Sequence, residues 1–157
     1  MSTHAQATTV RHETVVEAPL ERAFRVFTER LDEIKPRDHN LLGSDIEATV
    51  VEPRAGGRIY DRAVDGSECE WATVLAFEPP ERFLFSWNIS TSWQVESDAA
   101  RRSEVEVRFA AEGADRTRVV LEHRHLDRHG DGWEGMRDGV AAENGWSLYL
   151  ARFAELI

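Results

Sequence analysis

The chain has 157 residues, 41% of them hydrophobic and 31% charged. That composition suits one folded domain and excludes both a disordered chain and a membrane-embedded one. With 19 basic and 29 acidic residues the net charge is −10, which repels a nucleic-acid backbone or an anionic membrane surface, so neither is expected as a partner.

The first residues, MSTHAQATTV, carry neither a basic segment nor an apolar core of the kind a secretory signal needs. Cys69 is the single cysteine, so no internal disulfide can form. Both features predict a reducing, cytoplasmic location. Of the 19 basic residues only Lys35 is lysine, a skew expected of a GC-rich bacterial genome. No repeat or Pro/Gly/Ser linker divides the chain. One domain over residues 9–157, behind a short polar tail (residues 1–8), is predicted.

Residues 9–17, TTVRHETVV with its flank, are rich in β-branched side chains and read as a strand. Pro19 suits the first turn of a helix, where its missing N–H is not needed. Leu20, Ala23, Phe24 and Phe27 then share one helical face. A second short helix over 29–34 stops before Pro36. Strands follow over 45–52, 58–64, 69–77 and 82–89, separated by the turn signals Gly56-Gly57, Asp65-Gly66 and Pro79-Pro80. Residues 104–112 and 117–125 alternate apolar and polar and form a hairpin across 113–116. Pairing Val107 with His123 sets Glu106 against Arg124 and Arg108 against Glu122, so the charges predict that register. From 132 to 157 the period changes to 3.6, with Trp146, Leu150, Phe153 and Ile157 on one face of a single long helix. Gly135, Gly139 and Ala142 fall on the same face and leave it bare. An antiparallel meander with one apolar face must be covered, and the last helix is the element long enough to do it. The expected class is therefore α+β: a curved antiparallel sheet around a long C-terminal helix, with two short helices after the first strand.

Several motifs carry a resemblance. They are VEAPLERAFRVFT (16–28), EPRAGGRIYDR (52–62), DGSECEWATVLAFEPPERFLFSW (65–87), RTRVVLEHRHLDRHG (116–130) and the closing GW…L..F (145–153). Together they resemble the SRPBCC (START-like) superfamily with its helix-grip fold. Within it they resemble the small homologues of the activator of heat-shock protein 90 ATPase. The resemblance implies a cavity between sheet and C-terminal helix that holds a hydrophobic ligand. Some superfamily members are polyketide aromatases or cyclases, some move lipids or hormones, and some sequester toxic metabolites. A related domain activates a chaperone ATPase.

The candidate ligand-binding residues are Trp71, Phe85, Trp87, Val107, Phe109, Leu121, His123, Trp133 and Met136. Large aromatics on strand faces fill a core, or line a pocket where the helix offers only Gly135 and Gly139. The bare helix face predicts a pocket bordered by Trp87, His123, Trp133 and Met136. His123 is the one inward polar group and the candidate for ligand orientation or acid–base work. His123 and His125 form an HxH pair with no third ligand at a recognised spacing, so no metal is expected. Glu68 and Glu70 read as solvated charges, and no GxSxG, HExxH or P-loop occurs; no cofactor is expected. The first function expected is the binding of a small hydrophobic, aromatic molecule. The alternatives are an aromatase/cyclase-like enzyme with His123 as acid–base, and a modulator of a heat-shock protein 90-type chaperone ATPase.

Overall fold

The computed structural model describes residues 8–157. The expected tail lies outside the described residues except for Thr8, whose carbonyl accepts a hydrogen bond from the Leu126 amide. Seven strands form one antiparallel sheet: β1 (Val10–Val16), β2 (Ile46–Val51), β3 (Arg58–Ala63), β4 (Glu68–Glu78), β5 (Arg82–Trp87), β6 (Ser103–Gly113) and β7 (Arg116–Arg124). Their order is β1-β7-β6-β5-β4-β3-β2. Helices α1 (Leu20–Glu29) and α2 (Leu31–Ile34) follow β1, and α3 (Trp133–Ala141) and α4 (Trp146–Glu155) close the chain. This is the expected helix-grip architecture. No helix among the described residues is long and apolar enough to cross a membrane.

The alternating strands turn Phe83 and Phe85, Val105, Val107 and Phe109, and Val119 and Leu121 onto the concave face, all buried. Helix α1 sets Phe24 and Phe27 against them, and α4 adds Leu150 and Phe153. Phe27 meets Phe109 and Phe153 edge-on at 5.9 and 5.3 Å between ring centroids, a favoured aromatic geometry.

Two irregularities in β4 decide which side chains reach this face. Against β3, Ala72 pairs with Ile59 and Glu70 with Tyr60, so Trp71 is the unpaired extra residue of a bulge. Trp71 and Ala72 are consequently both buried, which strict alternation forbids. Against β5, Leu75 is skipped in the same way and points to solvent.

Two expectations are corrected. In the β6–β7 hairpin Val107 pairs with Leu121 and Val105 with His123, so the charge-derived register is off by two residues. Glu106 therefore lies opposite Glu122, but it does not depend on that neighbour. Although on the outward parity, Glu106 is buried beneath Arg82, Arg108 and Arg124, which all bond it. Burial pushes its carboxyl up, but the hydrogen bonds from Arg108 and Arg82 and the charge of Arg124 outweigh this and hold it below the usual carboxylate range. Diagonal neighbours and the adjacent strand carry the charge balance that direct opposition was expected to supply.

The C-terminal helical segment is also not continuous. It breaks over 142–145, where Ala142 is extended. A side chain on Gly145 would put a Cβ 2.0 Å from the Val140 carbonyl oxygen, so only glycine allows the chain to double back this closely. The break leaves Gly139, Asn144 and Gly145 beside the open end of the concave groove.

Candidate functional site

The groove between β2–β5 and the two C-terminal helices encloses a cavity of about 440 Å³. Its polar wall begins at α2. Pro36 forces the preceding residue out of helical geometry, and Lys35 is extended there. Its side chain is buried, only 5% exposed, and reaches Asp61 on β3, which is 1% exposed. Lys35 Nζ donates to Asp61 Oδ2 at 3.0 Å and also to the His39 carbonyl. Thr49 stands opposite Asp61 in the β2–β3 register and donates to its Oδ1 at 2.7 Å. Each buried charge is thus paired and further hydrogen-bonded, the condition under which such charges are tolerated.

The opposite wall is aromatic. Trp71, Trp87 and Trp146 line the cavity with Tyr149, and Trp93 stands at its mouth, 52% exposed and with φ of 60°. A bulky residue in the left-handed region is uncommon. The Tyr149 hydroxyl lies 3.2 Å from His39 Nδ1. Burial pushes the Tyr149 phenol up, so it stays protonated at neutral pH. Burial pulls the His39 imidazole down, which favours its neutral form. The Nε1 atoms of Trp71 and Trp87 are buried and have no hydrogen-bond partner among the described residues.

His123 stands behind this wall. Its Nδ1 lies 3.1 Å from Trp146 Nε1, and its Nε2 lies 2.7 Å from Ser103 Oγ, which in turn lies 2.7 Å from His129 Nε2. An indole nitrogen can only donate, so His123 Nδ1 accepts and Nε2 carries the proton. Burial, reinforced by His129, pulls His123 down to about 3. His123 is therefore a fixed, neutral support for Trp146.

The family described as Activator of Hsp90 ATPase homolog 1-like protein matches residues 17–157. The chain belongs to this family. A search of curated proteins finds no match. Among solved structures, this Hsp90-activator-homologue-like chain is similar to the anthrahydroquino-gamma-pyrone synthase Txn09, with 39% identity over 95% of this chain and 96% of that one, at a TM-score of 0.67. It is also similar to CalC, a self-sacrificing resistance protein from Micromonospora echinospora, with 27% identity over 96% and 94% and a TM-score of 0.68. The protein NE0264 from Nitrosomonas europaea shares the fold at 15% identity over 96% and 94%, with a TM-score of 0.67.

Of the nine residues singled out from the sequence, Trp71 and Trp87 line the cavity. Phe85, Val107, Phe109 and Leu121 pack in the core, and Met136 is buried on the inner side of α3. Trp133 is half-buried at the start of α3 with the Arg137 guanidinium 5.2 Å from its ring centre. His123 faces inward but is separated from the cavity by the rings of Trp87 and Trp146, 5.2 and 5.8 Å away. The pocket is displaced from the expected position because the 142–145 break carries Trp146 across His123. His39, Lys35, Asp61 and Tyr149 were not singled out. Asp61 did leave a signal: it shares strand parity with Ile59 and Ala63, both buried, where a carboxylate needs a partner.

A second, more open depression of about 780 Å³ lies between α1 and the ends of β2 and β4. Its two buried hydroxyls are already bonded, Thr28 to the Phe24 carbonyl at 2.9 Å and Thr49 to Asp61 Oδ1 at 2.7 Å, and no titratable cluster comparable to that of the first cavity converges on it.

Proposed function

We propose that the protein binds a planar, fused-ring aromatic ketide in the 440 Å³ cavity and closes an oxygen heterocycle on it. The observation that carries this reading is the convergence of Lys35, Asp61, His39 and Tyr149 on one aromatic-walled cavity. Pairs of titratable groups whose surroundings push them in opposite directions mark acid and base roles. Tyr149 is kept protonated and His39 neutral by the same burial. Similarity to a gamma-pyrone synthase over nearly the whole of both chains supports this reaction class.

The reaction is a cyclodehydration. A phenolic oxygen of the ring system bonds to the distal carbonyl carbon of a 1,3-diketone side chain. His39 takes the phenolic proton. The former carbonyl oxygen takes protons and leaves as water, with loss of a proton from the intervening carbon to form the ring double bond. Tyr149 and Lys35 are the donors to oxygens that gain negative charge, and the tryptophan walls hold the ring planes and exclude water.

The test is turnover of 1-hydroxy-2-(3-oxobutanoyl)anthraquinone, followed by mass spectrometry for loss of one water. Conversion by the wild type, reduced on the order of 100-fold in His39→Gln, is expected for loss of a general base. Binding without conversion would overturn the enzymatic step. It would favour a second reading, stoichiometric capture without turnover, which the similarity to the self-sacrificing resistance protein CalC supports.

A further inference from the structure

The loop after β5 grows straight out of the cavity wall. Trp87 and Ile89 both line the cavity, and the chain then turns back on itself, with Ile89 bridged to Val95. Within this hairpin the Trp93 amide donates to the Ser90 carbonyl at 2.9 Å, and the Ser90 amide donates to the Gln94 carbonyl at 2.7 Å. The Ser92 and Gln94 amides also donate to Ser90 Oγ, each at 3.3 Å. Below them the Glu96 amide donates to the Asn88 carbonyl at 2.8 Å. The turn is thus held by its own hydrogen bonds, and it carries Trp93 at a φ of 60°.

A tight turn followed by one left-handed residue is a common hairpin connection, and glycine is the residue suited to the left-handed place. The turns at Gly56 and Gly66 follow that rule, with glycine at positive φ. The turn beside the cavity breaks it with the bulkiest side chain of all. The fold gains little in return, because Trp93 is 52% exposed and stands outside the hydrophobic core. Backbone strain of this kind concentrates at ligand clamps, where the surrounding structure holds the residue in place. What the position does supply is an indole at the mouth of a cavity whose inner walls are Trp71, Trp87, Trp146 and Tyr149.

We infer that Trp93 is the cap of the cavity: its indole lies against the outer part of a seated fused-ring aromatic and slows its release. This role rests on the reading that the cavity binds such a ring, and it assigns retention of the ligand to a side chain outside the acid–base group. It also gives Trp93 a signature that a core residue lacks. Glycine at this position removes the cap and relieves the backbone in one step, so ligand retention falls while the fold keeps its stability.

The test compares the wild type with Trp93→Gly, using 1,8-dihydroxyanthraquinone as the probe. Dissociation is followed by stopped flow with excess cyclodextrin as a trap. The visible absorbance of the probe is recorded, so loss of an indole does not alter the signal. Trp93→Gly is expected to release the probe about fivefold faster or more, the scale of one lost aromatic contact. Its thermal midpoint is expected to equal or exceed that of the wild type. A smaller change in release, or a lowered midpoint that places the indole in the fold, would overturn the inference and leave the binding reading standing. Absence of binding by the wild type would overturn the binding reading and the inference with it.

Discussion

The concave groove has two halves built from one sheet, and they are filled in opposite ways. Over β5–β7 the space is closed by Phe27, Phe83, Phe109 and Phe153, which meet edge to face and leave no polar atom to satisfy. Around β3, β4 and the Trp87 end of β5 the groove holds a buried ion pair, a His–Tyr contact, two unpaired indole donors and an open cavity. The first half behaves as a close-packed aromatic core. The second is left open, with polar side chains and aromatic rings around unfilled space. The division follows from local backbone events: the bulge at Trp71, the extended Lys35 before Pro36 and the break at Gly145.

The largest expected effect falls in the packed half. Phe27→Ala should cost about 3–5 kcal/mol in urea denaturation, since it removes a fully buried ring that meets the rings of Phe83, Phe109 and Phe153. A loss below about 1 kcal/mol would show that this half is not close-packed. In the open half, Lys35→Met should cost about 3 kcal/mol by leaving Asp61 buried without its cation. The double variant Lys35→Met/Asp61→Leu should recover most of that stability while remaining inactive. This outcome would separate stability from function at the cavity; recovery of neither would place the pair in the structural half of the comparison.

The boundary between the halves is His123, and its signature is pH. The unfolded imidazole takes a proton near 6.5, whereas the buried one resists until about 3. Between those values the unfolded state binds the extra proton, so stability falls as pH falls, by roughly 1.4 kcal/mol per pH unit from this group. His123→Gln, which can accept from Trp146 and donate to Ser103, should flatten that slope between pH 6 and 5. An unchanged slope would mean that His123 titrates normally in the folded protein. The smallest effect is expected at Gly139, where an added side chain meets open space. Gly139→Leu should change stability by no more than about 1 kcal/mol, with the gain in helix propensity on its side.

The packed half was legible in the sequence, because period-two strands and the Leu20/Ala23/Phe24/Phe27 stripe state their faces directly. The open half was legible only in part. Trp71 and Trp87 could be placed on inward positions, but Lys35, His39, Asp61 and Tyr149 come together from α2, the loop after it, β3 and α4, and no spacing along the chain encodes that meeting. The helix break was hidden because Gly135, Gly139, Ala142 and Trp146 keep a helical phase across it. The Asn144-Gly145 turn dipeptide was the contrary signal. The hairpin register was misplaced because directly opposed charges were weighed, whereas the sheet satisfies Glu106 from three arginines on its own strand and both neighbouring strands.

The measurement that bears most directly on the open half is a titration of the wild type and Gly139→Leu with 1,8-dihydroxyanthraquinone, followed by tryptophan fluorescence. Three tryptophans line the cavity interior and a fourth stands at its mouth, so a ligand seated there must change their emission. Saturable one-site quenching is expected in the wild type and is lost in a fully folded Gly139→Leu, whose added side chain occupies the ligand's space. Equal saturable binding by both proteins, or none by the wild type, would contradict that expectation.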